Sequence, residues 1–259
     1  MKKHITLLAI IGITFLSVGQ ESFLINNTQL RFGVKPVLMN NLKLDRSEKN
    51  LKSYPALSFE AGIGVKQRLY HNFSLIVDAG YTLIRFHSRY NFEKEINYVE
   101  ETHHTENFTE TVQGMFVIPI SFQYETLHNK KLNYFTELGL KFNIVDQYPY
   151  AIEAGSSYAS DLAPPDQNGN KNVHVFSIAM ENKTQEFFMS YVVKAGLIFT
   201  TKNTHTFNLA LVANYCPTRM YKGSYSFFDN QPEDVSLGIN YVGLECAFGL
   251  TLKKKNYML

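Results

Sequence analysis

The sequence predicts an all-β fold, an eight-stranded antiparallel up-and-down transmembrane β-barrel with short periplasmic turns and long extracellular loops. Three observations predict it. Eight segments alternate apolar residues with polar residues or glycine, the connectors between them alternate short with long, and an export signal stands at the N-terminus. A two-residue period marks a strand with unlike faces, and a barrel is one of the few ways to satisfy every backbone polar group inside lipid.

The export signal decides which solvent the rest must suit. Lys2 and Lys3 form a basic n-region, Ile5 to Phe15 is apolar, and Ser17 and Gly19 are small residues at the spacing a signal peptidase reads. Residues 1–19 are expected to be a signal peptide cleaved before Gln20, leaving 20–259 as a single outer-membrane β-barrel domain. An uncleaved anchor is disfavoured because the apolar run is shorter than the roughly 20 residues a spanning helix needs. The 20 Phe and 16 Tyr suit strands, and a net charge of +2 implies neither a nucleic acid nor a strongly acidic partner. Cys216 ends the seventh predicted strand and Cys246 lies well inside the eighth, too far apart for the ~6 Å of a disulfide, so two free thiols are expected.

The first strand is read from Gln29 to Leu38, with Leu30, Phe32, Val34 and Leu38 opposing Arg31, Gly33 and Lys35. The second, Ala56 to Leu69, sets Leu57, Phe59, Ala61, Ile63 and Val65 against Glu60, Gly62, Gly64 and Lys66. A tight turn at Tyr70 to Asn72 leads to the third, Phe73 to Phe86, which sets Leu75, Val77, Ala79, Tyr81 and Leu83 against Ser74, Asp78, Gly80 and Thr82. The fourth runs from Val112 to Tyr124, where Pro119 removes a ladder donor and predicts a bulge. The fifth, Leu132 to Ile144, carries Glu137, Gly139, Lys141 and Asn143 on its polar face, and the sixth, Glu186 to Thr200, carries Ser190, Lys194, Gly196 and Thr200. The seventh is Thr206 to Tyr215, and the eighth, from about Ser236 to Leu252, carries Gly243, Glu245 and Gly249 there. Connectors after strands two, four and six are short (Tyr70 to Asn72, Glu125 to Lys131, Thr201 to His205), and the others are long and polar, as in an outer-membrane barrel.

Alternation alone does not separate a membrane barrel from a soluble barrel that is apolar inside. The polar face decides. Gly33, Gly62, Gly64, Gly80, Gly139, Gly196, Gly243 and Gly249 would weaken a solvated sheet face, whereas a narrow lumen needs small residues beside large ones. The same face carries Arg31, Lys35, Lys66, Lys141 and Lys194 against Glu60, Asp78, Glu137 and Glu245, read as an ion-pair network that fills the lumen. Eight strands leave an interior just wide enough for side chains, so a plugged lumen is expected rather than a pore. Tyr70 and Phe73, Tyr124 and Tyr134, and Phe199 and Phe207 flank the three short turns like an aromatic girdle at a membrane interface.

Arg31-Phe32-Gly33-Val34-Lys35, Gly62-Ile63-Gly64 before a tight turn, and Phe116-Val117-Ile118-Pro119-Ile120 together resemble the PorT-like family of outer-membrane β-barrels. The resemblance covers nearly the whole mature chain and implies a small OmpA-type barrel; members mostly lack an assigned activity, and one is implied in secretion of proteins across the outer membrane. The chain departs from the family at its end, where Lys253 to Leu259 replace a terminal aromatic.

Chemistry is sparse. His87 and Ser88, at the top of strand three, suggest the rim of a lipid-modifying barrel enzyme, but neighbours on a strand point to opposite faces, and no catalytic residue is assigned. Glu93, Glu95, Glu100, Glu101, Glu106 and Glu110 beside His103 and His104 are read as a solvated acidic loop in preference to a cation site, so no metal and no cofactor are assigned. The expected partners are outer-membrane lipid and an envelope or secretion-machinery protein met through the loops, with the barrel itself monomeric. A non-enzymatic outer-membrane barrel is the leading reading, and a soluble periplasmic barrel binding an apolar ligand is the alternative.

Overall fold

The computed structural model describes residues 28–39, 42–44, 51–92, 104–126, 131–146, 151–159, 165, 167, 169, 171–182, 187–201, 205–227 and 232–252. The expected signal peptide (1–19), the cleavage site before Gln20, the C-terminal segment 253–259 and the acidic stretch Glu93 to His103 lie outside the described residues.

Eight strands close a ring: β1 (Thr28–Met39), β4 (Ala56–Tyr70), β5 (Phe73–Phe92), β6 (His104–Thr126), β7 (Leu132–Val145), β10 (Phe187–Thr200), β11 (Thr206–Tyr215) and β14 (Tyr241–Thr251). Each pairs antiparallel with its neighbours in that order, and β1 pairs with β14 from Gln29↔Thr251 to Met39↔Tyr241, so no barrel edge is left open. The fold is an all-β, up-and-down, eight-stranded barrel.

The long connectors differ from the expected loops. β2 (Leu42–Leu44), β8 (Ala151–Ala159), β9 (Asn172–Asn182), β12 (Tyr221–Phe227) and β13 (Glu233–Leu237) form a second, five-stranded sheet in the order β2-β13-β12-β9-β8. The second long connector instead prolongs the β5–β6 hairpin as far as Phe92↔His104, with β3 (Leu51–Tyr54) paired to the upper part of β5. The reason is again a two-residue period: Tyr221 and Tyr225 of β12 and Val235 and Leu237 of β13 are buried, while Lys222 and Asp234 are exposed. The eighth predicted strand is accordingly two, β13 and β14, broken at Gly238 to Asn240, where a Cβ on Gly238 would stand 2.8 Å from Arg219 Nη1.

The bulge predicted at Pro119 is absent. The β6–β7 register runs unbroken through Pro119↔Lys141, and β5–β6 keeps one register from Val77↔Ile120 to Gly80↔Val117. The missing donor costs little there, because the β5–β6 ladder has no paired residues between those two points. The register shifts in this hairpin instead at Ile84/Arg85, higher up.

Candidate functional site

Each barrel strand buries one face and exposes the other. On β1, Arg31 is 3% exposed and its neighbour Phe32 47%. The buried face points into the lumen, where Glu60, Lys66, Glu137, Lys141, Lys194 and Glu245 are also buried, while the outside presents Leu, Val, Ile and Phe. A soluble barrel would invert this. Such an outer surface belongs in lipid.

Four cations meet four carboxylates at mid-height. Lys35 on β1 lies opposite Glu60 on β4 and bonds its Oε1 at 2.7 Å. From the far wall, Lys141 on β7 reaches Glu60 Oε2 at 2.5 Å and donates to the Tyr241 hydroxyl at 3.0 Å, and that hydroxyl in turn donates to Glu60 Oε2 at 3.0 Å. Lys194 on β10 pairs with Glu137 on β7 at 2.7 Å, and Ser121 donates to the same Glu137 oxygen at 2.6 Å. Glu245 on β14 is the hub, 2.9 Å from Arg31, 2.9 Å from Lys194 and 3.5 Å from Lys35. Arg31 also approaches Asp78 at 3.4 Å. Taking isolated charges out of water would be prohibitive, and this neutral lattice offsets the cost.

Glycine makes room for it. The eight predicted glycines share the buried face by their two-residue spacing from the charged residues. Arg31 is flanked by Gly64 on β4 and Gly249 on β14, and Phe135 lies opposite Gly196. Ala247, Gly33, Gly62 and Gly80 form one row of small residues across four strands. A cavity of about 10 Å³ beside this row has room for about one water.

The sequence reading missed parts of the site. Lys66 pairs with Glu125, which had been assigned to a turn but is a buried residue of β6, and Arg68 reaches the same carboxylate at 3.5 Å. Above the charges, Asn143 donates to Ser190 at 3.1 Å, Ser190 to Asn214 at 3.0 Å, and Asn214 to the Ile239 carbonyl at 2.8 Å. Asn143 and Ser190 lie on the polar faces the two-residue period predicts for their strands, and one further step of that period on β6 and β14 reaches Glu125 and Tyr241.

Above this layer the interior changes character. Ile84, Phe86, Met115, Val117, Phe188 and Cys216 from the barrel pack with Ile178, Met180, Tyr221, Tyr225, Val235 and Leu237 from the second sheet in one apolar core. The second sheet is thus fixed to the barrel by its own hydrophobic face.

The six girdle residues Tyr70, Phe73, Tyr124, Tyr134, Phe199 and Phe207 all face outward, with Phe73 and Tyr124 rings 5.1 Å apart and Phe199 and Phe207 6.3 Å. A second aromatic row stands eight residues along the same strands: Tyr81, Phe116, Phe142, Tyr191 and Tyr215. Tyr81 and Phe116 meet edge-on at 5.2 Å. Eight residues at ~3.4 Å each, tilted about 40°, give a height of about 21 Å, near the ~25 Å of an outer-membrane apolar band.

His87 packs edge-on against Tyr54, ring centroids 5.9 Å apart. Cys216 is buried and Cys246 faces outward, and the two thiols are free. No protein-family model matches the chain, and no curated protein sequence does. Among solved structures, the outer membrane protein OprG from Pseudomonas aeruginosa is similar at a TM-score of 0.44 and 13% identity, covering 89% of this chain and 98% of that one. A structure described as the CymD monoaromatic hydrocarbon channel is similar at a TM-score of 0.18 and 8% identity, covering 87% of this chain and 89% of that one. Both scores are low, and the barrel stands on its own strand pairing.

Proposed function

We propose that this chain is a non-enzymatic β-barrel of a Gram-negative outer membrane, exported by the signal peptide at 1–19, whose lumen is plugged and whose work is done at its extracellular side. One observation carries the reading: eight charged groups neutralise one another inside the barrel, while the outside between two aromatic rows is apolar. A plug of this kind makes the barrel a rigid membrane anchor. The extracellular sheet, fixed above it by the shared apolar core, is then the part that serves adhesion, envelope structure or a secretion assembly, the last in line with the PorT-like resemblance. A soluble carrier of an apolar ligand is disfavoured, because its charged residues would face water.

Membrane fractionation with heat-modifiable gel mobility tests location, and planar-bilayer recording tests the plug. The expected result is a heat-modifiable outer-membrane protein without sustained ion conductance. A folded, detergent-free soluble form would overturn the first half, and a stable open conductance the second.

A further inference from the structure

Two hollows lie one above the other on the same side of the molecule. The lower is apolar, about 610 Å³, in the upper half of the membrane-facing band across β1, β14, β11 and β10. Its floor is Pro36, Ala195, Ala213 and Gly243, and Leu211 and Val242 stand up as walls, 67% and 59% exposed. The register aligns it: Leu38↔Val242, Val242↔Ala213 and Ala213↔Val193 form one continuous row. The upper hollow, about 660 Å³, lies on the outer face of the five-stranded sheet. Its centre is lined by small side chains, the hydroxyls of Ser224 and Ser236 and the methyl of Ala179, and its charged groups are Lys43, Lys222, Glu153, Glu181 and Asp234.

The two belong together. β2, β9, β12 and β13 adjoin β1, β10, β11 and β14 in the chain, and only four residues separate Leu38 in the lower hollow from Lys43 in the upper. The order β2-β13-β12-β9-β8 repeats the barrel order β1-β14-β11-β10-β7, so the second sheet continues that wall and its outer face points the same way. The result is an apolar trough continued upward by a charged, hydroxyl-bearing one at the height where lipid tails give way to head groups.

We propose that this face holds a phosphorylated glycolipid of the outer leaflet, with its acyl chains in the lower hollow and its phosphates at Lys43 and Lys222; this rests on the outer-membrane reading above. Lys43 on β2 and Lys222 on β12 both lie opposite Ser236 on the strand between them, which sets their backbones about 10 Å apart. That separation suits two phosphates on one sugar head better than the single phosphate of a phospholipid. The carboxylates of Glu153, Glu181 and Asp234 accept hydrogen bonds from sugar hydroxyls. A second copy of the chain fits less well: a two-fold axis along the barrel would bring β12, the middle strand of the sheet, against itself, and Lys222 against Lys222.

The test uses the full chain purified from outer membranes in mild detergent, with native mass spectrometry after addition of bis-phosphorylated lipid A or of phosphatidylglycerol. Variants are Lys43→Glu with Lys222→Glu for the upper hollow, Ala213→Trp and separately Ala195→Trp for the lower, and Ile120→Trp on the lipid-facing side of β6 as control. Heat-modifiable mobility confirms folding of each and reports separately on the outer-membrane reading. The expected result is retention of lipid A over phosphatidylglycerol, weakened about tenfold or more by the lysine pair and by either alanine variant, and unchanged by Ile120→Trp. Equal retention of the two lipids, equal retention by all folded variants, or a dimer that buries this face without lipid A would overturn the proposal.

Discussion

The lumen at mid-membrane and the interior above it are built on the same strands with the same period, yet their chemistry is opposite. On β5 the buried face passes from Asp78 and Thr82 to Ile84 and Phe86; on β7 it passes from Lys141 and Asn143 to Val145; on β10 and β11, from Ser190 and Asn214 to Phe188 and Cys216. The switch falls just above the upper aromatic row. Below it the outside meets lipid, and the interior takes the charged and hydrogen-bonding groups, with smaller apolar clusters beside them at Val37, Val192 and Val212 and at Phe135, Ile198 and Ala210. Above it the outside meets water, and burial of apolar surface again drives packing, at about 25 cal/mol per Å². The interior of this barrel is thus set by the solvent outside it.

Removing charge from the lower interior should have the largest effect. Glu245 faces three cations, so Glu245→Gln leaves Arg31, Lys35 and Lys194 short of a buried anion and should cost about 3–5 kcal/mol, read as a lowered urea midpoint in lipid vesicles. A wild-type midpoint would mean that the lumen is hydrated enough to screen the lattice.

The upper interior should respond locally. Met180 is fully buried between the second sheet and the barrel, and Met180→Ala should cost about 2–5 kcal/mol there. The barrel should keep its heat-modifiable band while the extracellular sheet becomes sensitive to added protease on intact cells. Loss of both together would show one cooperative unit and blunt the contrast between the two interiors.

A smaller contrast lies among the lumen glycines. A Cβ on Gly64 would stand 2.6 Å from the Val77 carbonyl oxygen and collide with Asp78, whereas one on Gly33 has its nearest neighbour at 3.7 Å. Gly64→Ala should lower stability by about 1–3 kcal/mol and Gly33→Ala by no more than about 0.5 kcal/mol. Equal effects would remove close packing as the reason for these glycines.

Much of the lower region could be read from the sequence, because a membrane barrel writes its inside and outside into alternate residues: Arg31 against Phe32, Lys194 against Val193, Glu245 against Leu244. The nine charged lumen positions and five of the six girdle aromatics follow from that rule; Tyr70 shares the parity of Glu60 and Lys66 and stands outside beyond the register shift between Arg68 and Tyr70. The upper region was harder to read for a physical reason. Its strands, such as Tyr221–Phe227 and Glu233–Leu237, are too short to cross lipid, and their alternation resembles that of any soluble sheet edge. Glu125 belongs to β6, which runs two residues beyond the expected strand end, because polar residues at a strand end look like a turn; and an isolated proline does not reveal whether its neighbour strand is paired at that point, as at Pro119.

The chain contains no tryptophan, so one introduced residue is a clean reporter of depth. Single variants Leu211→Trp, on the outside of β11 within the band, and Lys222→Trp, on the outer face of β12, can be folded into vesicles of brominated phospholipid. Strong quenching of the first and little of the second is the expected result, since only the first should touch lipid chains. Comparable quenching of both, or none at Leu211→Trp, would contradict an interior whose polarity follows the membrane outside.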